Sequence, residues 1–207
     1  MTNRTLVVSI DALITADIPV LKQLPNLGRV MEHASWITDI ECIYPTLTYP
    51  CHATIATGCW PDRTGINNNE IPDFFAKGRM DWYWWREAIQ VPTVVDFARQ
   101  AGLTASTVTW PVMCASGAEY NIGEIWAPRE EDDPTPWFTR ANSPAVAKIF
   151  EANKHMLRWM KTPQMDEFAA KCAADIIRAH RPDLMLLHLS YVDHQRHRLG
   201  VHGDLEY

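Results

Sequence analysis

An α/β fold, with a mostly parallel sheet flanked by helices, is what this sequence predicts on three observations. Two short apolar runs, residues 6–10 and 184–189, each lead into a polar segment that carries an Asp. Segments of helical period lie between them, and strand, helix and strand alternate without an internal repeat. Residues 6–10 are aliphatic apart from Ser9, which suits a strand buried on both faces with Asp11 at its carboxyl end. Residues 25–33 place Leu27, Val30 and Met31 on one side of a short helix, and residues 36–43 alternate loosely as a second strand. Residues 49–57 read as a helix entered through Thr48, a good N-cap residue; Pro50 is tolerated in the first turn and Gly58 ends it. Val94, Val95 and Ala98 give residues 92–101 a helical period closed by Gly102, and residues 104–110 come next as a strand. Four prolines and the acidic run Glu130-Glu131-Asp132-Asp133 mark residues 126–144 as a loop or the start of an inserted cap, with the run a solvated surface segment. A long helix over residues 165–180 is broken at Arg181-Pro182-Asp183, and the strand 184–189 ends in Ser190-Tyr191-Val192-Asp193. In such sheets ligands gather beyond the carboxyl ends of the strands, where both Asp11 and Asp193 fall.

Composition narrows the function. With 47% hydrophobic residues over 207 positions the chain can bury a core, so disorder is excluded. A net charge of -6 argues against a general grip on nucleic-acid polymers, and no apolar run is long enough for a membrane span. Five cysteines, an odd number without a CxxC pair, fit a reducing compartment better than a disulfide framework, and with no signal peptide apparent the expected location is cytoplasmic. Nothing in the residues argues an oligomeric state.

Two clusters carry chemistry. Asp193-His194-Gln195-Arg196-His197 comes directly after a buried strand, and a carboxylate and an imidazole four apart can converge on a divalent cation such as zinc; solubility is the plainer use of such residues. Asp11 at another strand end strengthens the metal reading. The second cluster, residues 44–58, puts the Thr48 hydroxyl at a helix N-terminus, where free N–H groups and partial positive charge favour a phosphate oxygen; a simple cap is the alternative.

This second cluster, together with residues 61–69, resembles the nucleotide pyrophosphatase/phosphodiesterase (type I phosphodiesterase) family of the alkaline phosphatase superfamily. The motif P-T-x-T-F-P-N-H appears as Pro45-Thr46-Leu47-Thr48-Tyr49-Pro50-Cys51-His52. Thr57-Gly58, then Pro61-Asp62-Arg63-Thr64-Gly65-Ile66, then Asn67-Asn68-Asn69 succeed it in the family's order. Asp11 after the first strand, Trp110-Pro111, and the D-x-x-x-H of Asp193 and His197 complete a match that spans residues 5–200.

The resemblance implies an alkaline phosphatase-like fold and a hydrolase that cleaves phosphodiester or pyrophosphate bonds of a small phosphodiester or nucleotide substrate through a phosphothreonine intermediate. It implies Thr48 as nucleophile between two zinc ions, Asn69 as oxyanion donor, Asp11 with Thr48 on one zinc, and Asp193 with His197 on the other. Phosphomonoester or phosphonate hydrolysis on the same site, or an inactive α/β binding fragment, stay open. One of Trp82, Tyr83 and Trp84 would stack on a base or line a lipid pocket, against the plainer reading of packed rings. His52 is expected to pack behind the nucleophile, and Cys51 to be a small buried hydrophobe. The chain departs from the family in having Ala12 where D-G is usual, Cys51 for the common Asn and Tyr49 for the common Phe. The family also supplies an Asp-His pair and a later His for its metals, so the resemblance predicts an N-terminal portion of a catalytic domain, incomplete at its C-terminus.

Overall fold

Four parallel strands, β1 (Thr5–Ile10), β2 (Ala105–Val108), β3 (Tyr120–Ile122) and β4 (Leu184–Leu189), pair in the order β1-β4-β2-β3. The computed structural model describes residues 4–72, 81–126, 135–157 and 162–201. Nine α-helices are described: α1 (Ile18–Leu21), α2 (Pro25–Met31), α3 (Thr48–Thr57), α4 (Pro61–Thr64), α5 (Val94–Gln100), α6 (Thr135–Ala141), α7 (Ala147–Asn153), α8 (Gln164–His180) and α9 (Tyr191–Leu199). None of them is long and apolar enough to cross a membrane.

The expected α/β class holds, and β4 shows why. Leu184 and Leu186 join one apolar cluster, with Tyr49, Ala53, Val95 and Trp110. Met185 and Leu187 join another, with Val108, Ile122, Phe138, Phe150, Phe168 and Ile176. Alternate side chains of a strand point to opposite faces, so an unbroken apolar run is what a strand covered on both faces needs. The strand that meets this description is β4, not β1. Contrary to the sequence expectation, β1 lies at the sheet edge with β4 as its strand partner, and Leu6 (52%) and Val8 (45%) are exposed.

Residues 36–43 form no strand; Ile37 and Ile40 are exposed, and apolar alternation without a neighbouring backbone to pair with does not make a strand. The segment 126–144 is not all loop, because α6 occupies its second half. Pro136 falls in the first helical turn, where its missing N–H is harmless, and Phe138 and Ala141, three apart, are buried. The acidic run 130–133 lies outside the described residues.

Helix ends obey their expected chemistry in places. Thr93 caps α5, accepting from Asp96 N, while Asp96 Oδ2 accepts from Thr93 N at 2.7 Å. Gly58 ends α3 at φ 67, and Gly65 adopts φ 79, the left-handed conformation that favours glycine.

Candidate active site

Asp11 leaves the carboxyl end of β1, tied down by its N–H to Leu189 O at 2.9 Å. Its Oδ1 accepts from Ala12 N at 3.0 Å and its Oδ2 from the Thr48 hydroxyl at 3.1 Å. Thr48 is the first residue of α3, and Leu47 takes the N-cap position instead. The cap alternative therefore does not describe Thr48: its hydroxyl turns away from the helix backbone and points to a carboxylate. Ala12 sits at φ 58, a conformation glycine adopts freely and alanine does not.

Asn69 reaches the same place from the loop after α4. Its Oδ1 accepts from Tyr49 N at 2.9 Å. Because a backbone N–H can only donate, this contact sets the amide orientation and leaves Nδ2 to donate elsewhere. Thr48, Asp11 and Asn69, spread over 58 positions of sequence, are thus joined by two hydrogen bonds about the start of α3.

Behind Thr48 lies a layer of buried titratable groups. His52 Nδ1 lies 2.7 Å from Thr48 O and Nε2 lies 2.9 Å from Ser9 Oγ. The carbonyl can only accept, so Nδ1 carries the hydrogen and the serine hydroxyl donates to Nε2. Burial, then the nearby charge of His188, push His52 down to about 4, so it works as a neutral strut. Its ring meets Trp110 edge-on at 5.1 Å, and Trp110 Nε1 donates to His52 O at 3.3 Å. The expected packing role of His52 is what the geometry shows.

His188, inside β4, is absent from the sequence-based candidates. Its Nε2 is 3.6 Å from Asp11 Oδ2 and its Nδ1 donates to Thr109 O at 3.1 Å, with Glu124 Oε1 3.7 Å away. Burial opposes its charge, yet Asp11 and Glu124 together raise its pKa. Asp11 responds in kind: burial would raise it, but His188, His52 and the Thr48 hydrogen bond hold it below its ordinary value. Glu124, almost wholly buried, is pushed up to about 7, chiefly by burial. A histidine interrupting an otherwise apolar strand near its carboxyl end is the available signal for His188; Glu124 has none.

Asp193 and His197 lie one turn apart on α9, with His197 Nε2 3.5 Å from Asp193 Oδ1. Both line a cavity of about 250 Å³ together with Ala12, Ile14 and Arg196. Burial first, and then the charge of Asp11, raise the Asp193 pKa. The carboxylates at the ends of β1 and β4 thus feel each other, a repulsion that a cation would relieve. Helix α9 is anchored at two points. Asp166 of α8 accepts from Ser190 N at 3.0 Å and Tyr191 N at 2.9 Å, and Arg196 holds Asp17 through Nη2 at 2.7 and 2.9 Å while Nη1 donates to Ala12 O. Arg196 therefore links the segment just after Asp11 to the helix of Asp193 and His197.

As donors, a hydroxyl, two carboxylates and an imidazole suit zinc. They come as two pairs, Thr48–Asp11 and Asp193–His197, and among the described residues no three His, Cys, Asp or Glu side chains form a metal-holding group.

The aromatic candidates separate. Trp84 is in the core at 7% exposure, edge-on to Trp137. Tyr83 is half-buried against the same cluster. Trp82 meets Tyr49, the neighbour of Thr48, edge-on at 5.2 Å, and is the one of the three whose ring contact reaches α3.

Comparison with known proteins bears on both the family and the fold. The family model described as type I phosphodiesterase/nucleotide pyrophosphatase matches residues 5–207. Venom phosphodiesterase 2 of Crotalus adamanteus is 26% identical over 193 residues, 88% of this chain and 20% of that protein. Human bis(5'-adenosyl)-triphosphatase ENPP4 is 27% identical over 114 residues, 52% of this chain and 24% of that protein. Among solved structures, phosphonoacetate hydrolase from Sinorhizobium meliloti 1021 superposes with a TM-score of 0.63 at 18% identity, over 93% of this chain and 48% of that one. Murine ectonucleotide pyrophosphatase/phosphodiesterase 5 gives 0.57 at 18% identity, over 96% and 46%. The chain thus spans about a fifth of the venom enzyme and about half of these structures.

Proposed function

The chain belongs to the type I phosphodiesterase/nucleotide pyrophosphatase family, and from that premise we propose that it carries the nucleophile half of a hydrolase that cleaves phosphodiester or pyrophosphate bonds in a small nucleotide-like substrate. The observation that carries this reading is the Thr48 hydroxyl, placed at the start of α3 and hydrogen-bonded to Asp11 at 3.1 Å. Thr48 Oγ1 attacks phosphorus, the leaving alcohol or phosphate departs, and the phosphoryl group stays on Thr48 until water removes it. Asp11, held ionised by His188, accepts a hydrogen bond from the hydroxyl and aims its oxygen.

Asn69, with its carbonyl side committed to Tyr49 N, offers its NH₂ to a phosphoryl oxygen as charge builds there. The positive end of the α3 dipole favours the same anion. The family is one of zinc-dependent enzymes. Asp11 with Thr48 would hold one ion and Asp193 with His197 the other, and bound zinc supplies the charge that lowers the pKa of a coordinated hydroxyl or water. Trp82 is the aromatic ring we assign to the substrate's base or other apolar group, since it alone of the three candidates has a ring contact with the residue beside Thr48.

The test compares bis-p-nitrophenyl phosphate with p-nitrophenyl phosphate, using the full-length protein and its Thr48→Ala variant. The diester should be preferred, and the variant should lose at least about 10³-fold in kcat. Turnover retained without the hydroxyl, or a strong preference for the monoester, would overturn the assignment.

A further inference from the structure

The sulfurs of Cys42 and Cys51 lie 3.4 Å apart, in hydrogen-bond contact, although neither residue belongs to a CxxC motif. Cys51 stands three residues after Thr48, on the first turn of α3, and its N–H bonds to Leu47 O at 3.0 Å. Cys42 lies in a segment without regular secondary structure and is exposed, whereas Cys51 is partly buried. The arrangement combines one thiol that solvent reaches and a second within bonding reach of it. Backbone outside any helix or strand lies on the Cys42 side only, which lets the pair close without moving the helix.

We propose that Cys42 and Cys51 form a reversible dithiol–disulfide site that ties the segment before Pro45 to the first turn of the nucleophile helix, with small-molecule disulfides as its oxidants. The exposed Cys42 thiolate attacks a sulfur of oxidised glutathione, one glutathione thiolate leaves, and Cys42 carries the mixed disulfide. Cys51 then attacks Cys42 Sγ and expels the second glutathione. Two protein thiols lose two electrons and two protons, and the oxidant is reduced to two thiols.

Burial, and then the hydrogen bond with Cys42, push the Cys51 thiol up to about 12. Access assigns the roles: the exposed Cys42 is the point of entry and the partly buried Cys51 is the resolving thiol. Of the other cysteines, Cys114 and Cys172 are buried, and burial is the main cause that raises both thiols, Cys172 up to about 12. Cys59 is as accessible as Cys51, so selectivity for the 42–51 pair rests on their 3.4 Å separation. This site does not depend on the phosphodiesterase reading, and its readout is not turnover.

The test incubates the folded protein with oxidised glutathione, blocks remaining thiols by alkylation and maps the peptides by mass. The expected product has lost about 2 Da and two alkylatable thiols, gives one cross-linked peptide pair containing Cys42 and Cys51, and is restored by dithiothreitol. Cys42→Ser should abolish the cross-link, and Cys51→Ser should leave Cys42 as a stable glutathione adduct. A wild-type protein that stops at that adduct, or that pairs Cys42 with Cys59, overturns the proposal.

Discussion

Removing Arg196 should detach the site from its scaffold. Arg196 and Asp17 side chains are 7% and 9% exposed and share two hydrogen bonds of 2.7 and 2.9 Å. Without the guanidinium, the buried Asp17 carboxylate keeps Ile14 N, at 2.8 Å, as a hydrogen-bond donor. Breaking one side of a buried ion pair costs about 3–5 kcal/mol. For a domain of this size each kcal/mol corresponds to about 2–4 °C, so Arg196→Met should lower Tm by about 6–20 °C. Most of that loss is the orphaned charge. The double variant Asp17→Ala with Arg196→Met should therefore be more stable than the two single losses added together, by about 2 kcal/mol. Urea unfolding of all four proteins measures this. Single variants that each lose under about 1 kcal/mol, or strictly additive losses, would refute the account of Arg196 as a buried clamp between the β1 exit and α9.

Three further predictions rest on other residues. Glu124 is pushed up to about 7 in the folded protein from an ordinary value of 4.5, so its contribution is fully present below 4.5 and is lost as pH rises through 7, by about 3 kcal/mol. Glu124→Gln should remove that part of the pH dependence in urea unfolding between about pH 5 and pH 8. His52, pushed down to about 4, has the opposite sign, its contribution being lost as pH falls below 6.5, so the comparison is between variant and wild type at each pH. Ala12→Gly relieves a positive φ of 58 and should stabilise by about 0.5 kcal/mol after the entropy glycine adds to the unfolded chain; a lower urea midpoint would contradict the strain assigned there. Asn69→Ala should lower kcat by about 10²–10³-fold. Asn69→Asp should keep the acceptor for Tyr49 N, and with it stability, while losing the rate equally; recovery of rate in the Asp variant would exclude the amide as donor.

How far the sequence reaches can be judged residue by residue. The helix over residues 48–57 and the glycine after it are legible because their signals are local: a threonine at the start, a proline in the first turn and a missing Cβ at the end. Asp193 and His197 are legible as a pair because four residues is a spacing that one helix face satisfies, although the helix itself is not signalled. The strand expected over residues 36–43 fails because a strand exists only through its neighbour. Residues 6–10 read as buried on both faces, but apolar composition cannot say whether a strand is central or at an edge. His188 and Glu124 escape a sequence reading for a related reason: what makes them matter is Asp11, which is far away along the chain.

Chain chemistry alone determined the α/β class, and the motif around Thr48 carried the family resemblance, since these depend on periodicity and on residue types at short spacings. Tertiary structure decided which groups meet. Thr48 faces Asp11 across 37 positions, Thr109 meets His188 across 79, and Arg196 grips Asp17 across 179. No local propensity records such distances, because they are set when β1, β2 and β4 align in one parallel sheet and bring their carboxyl ends together.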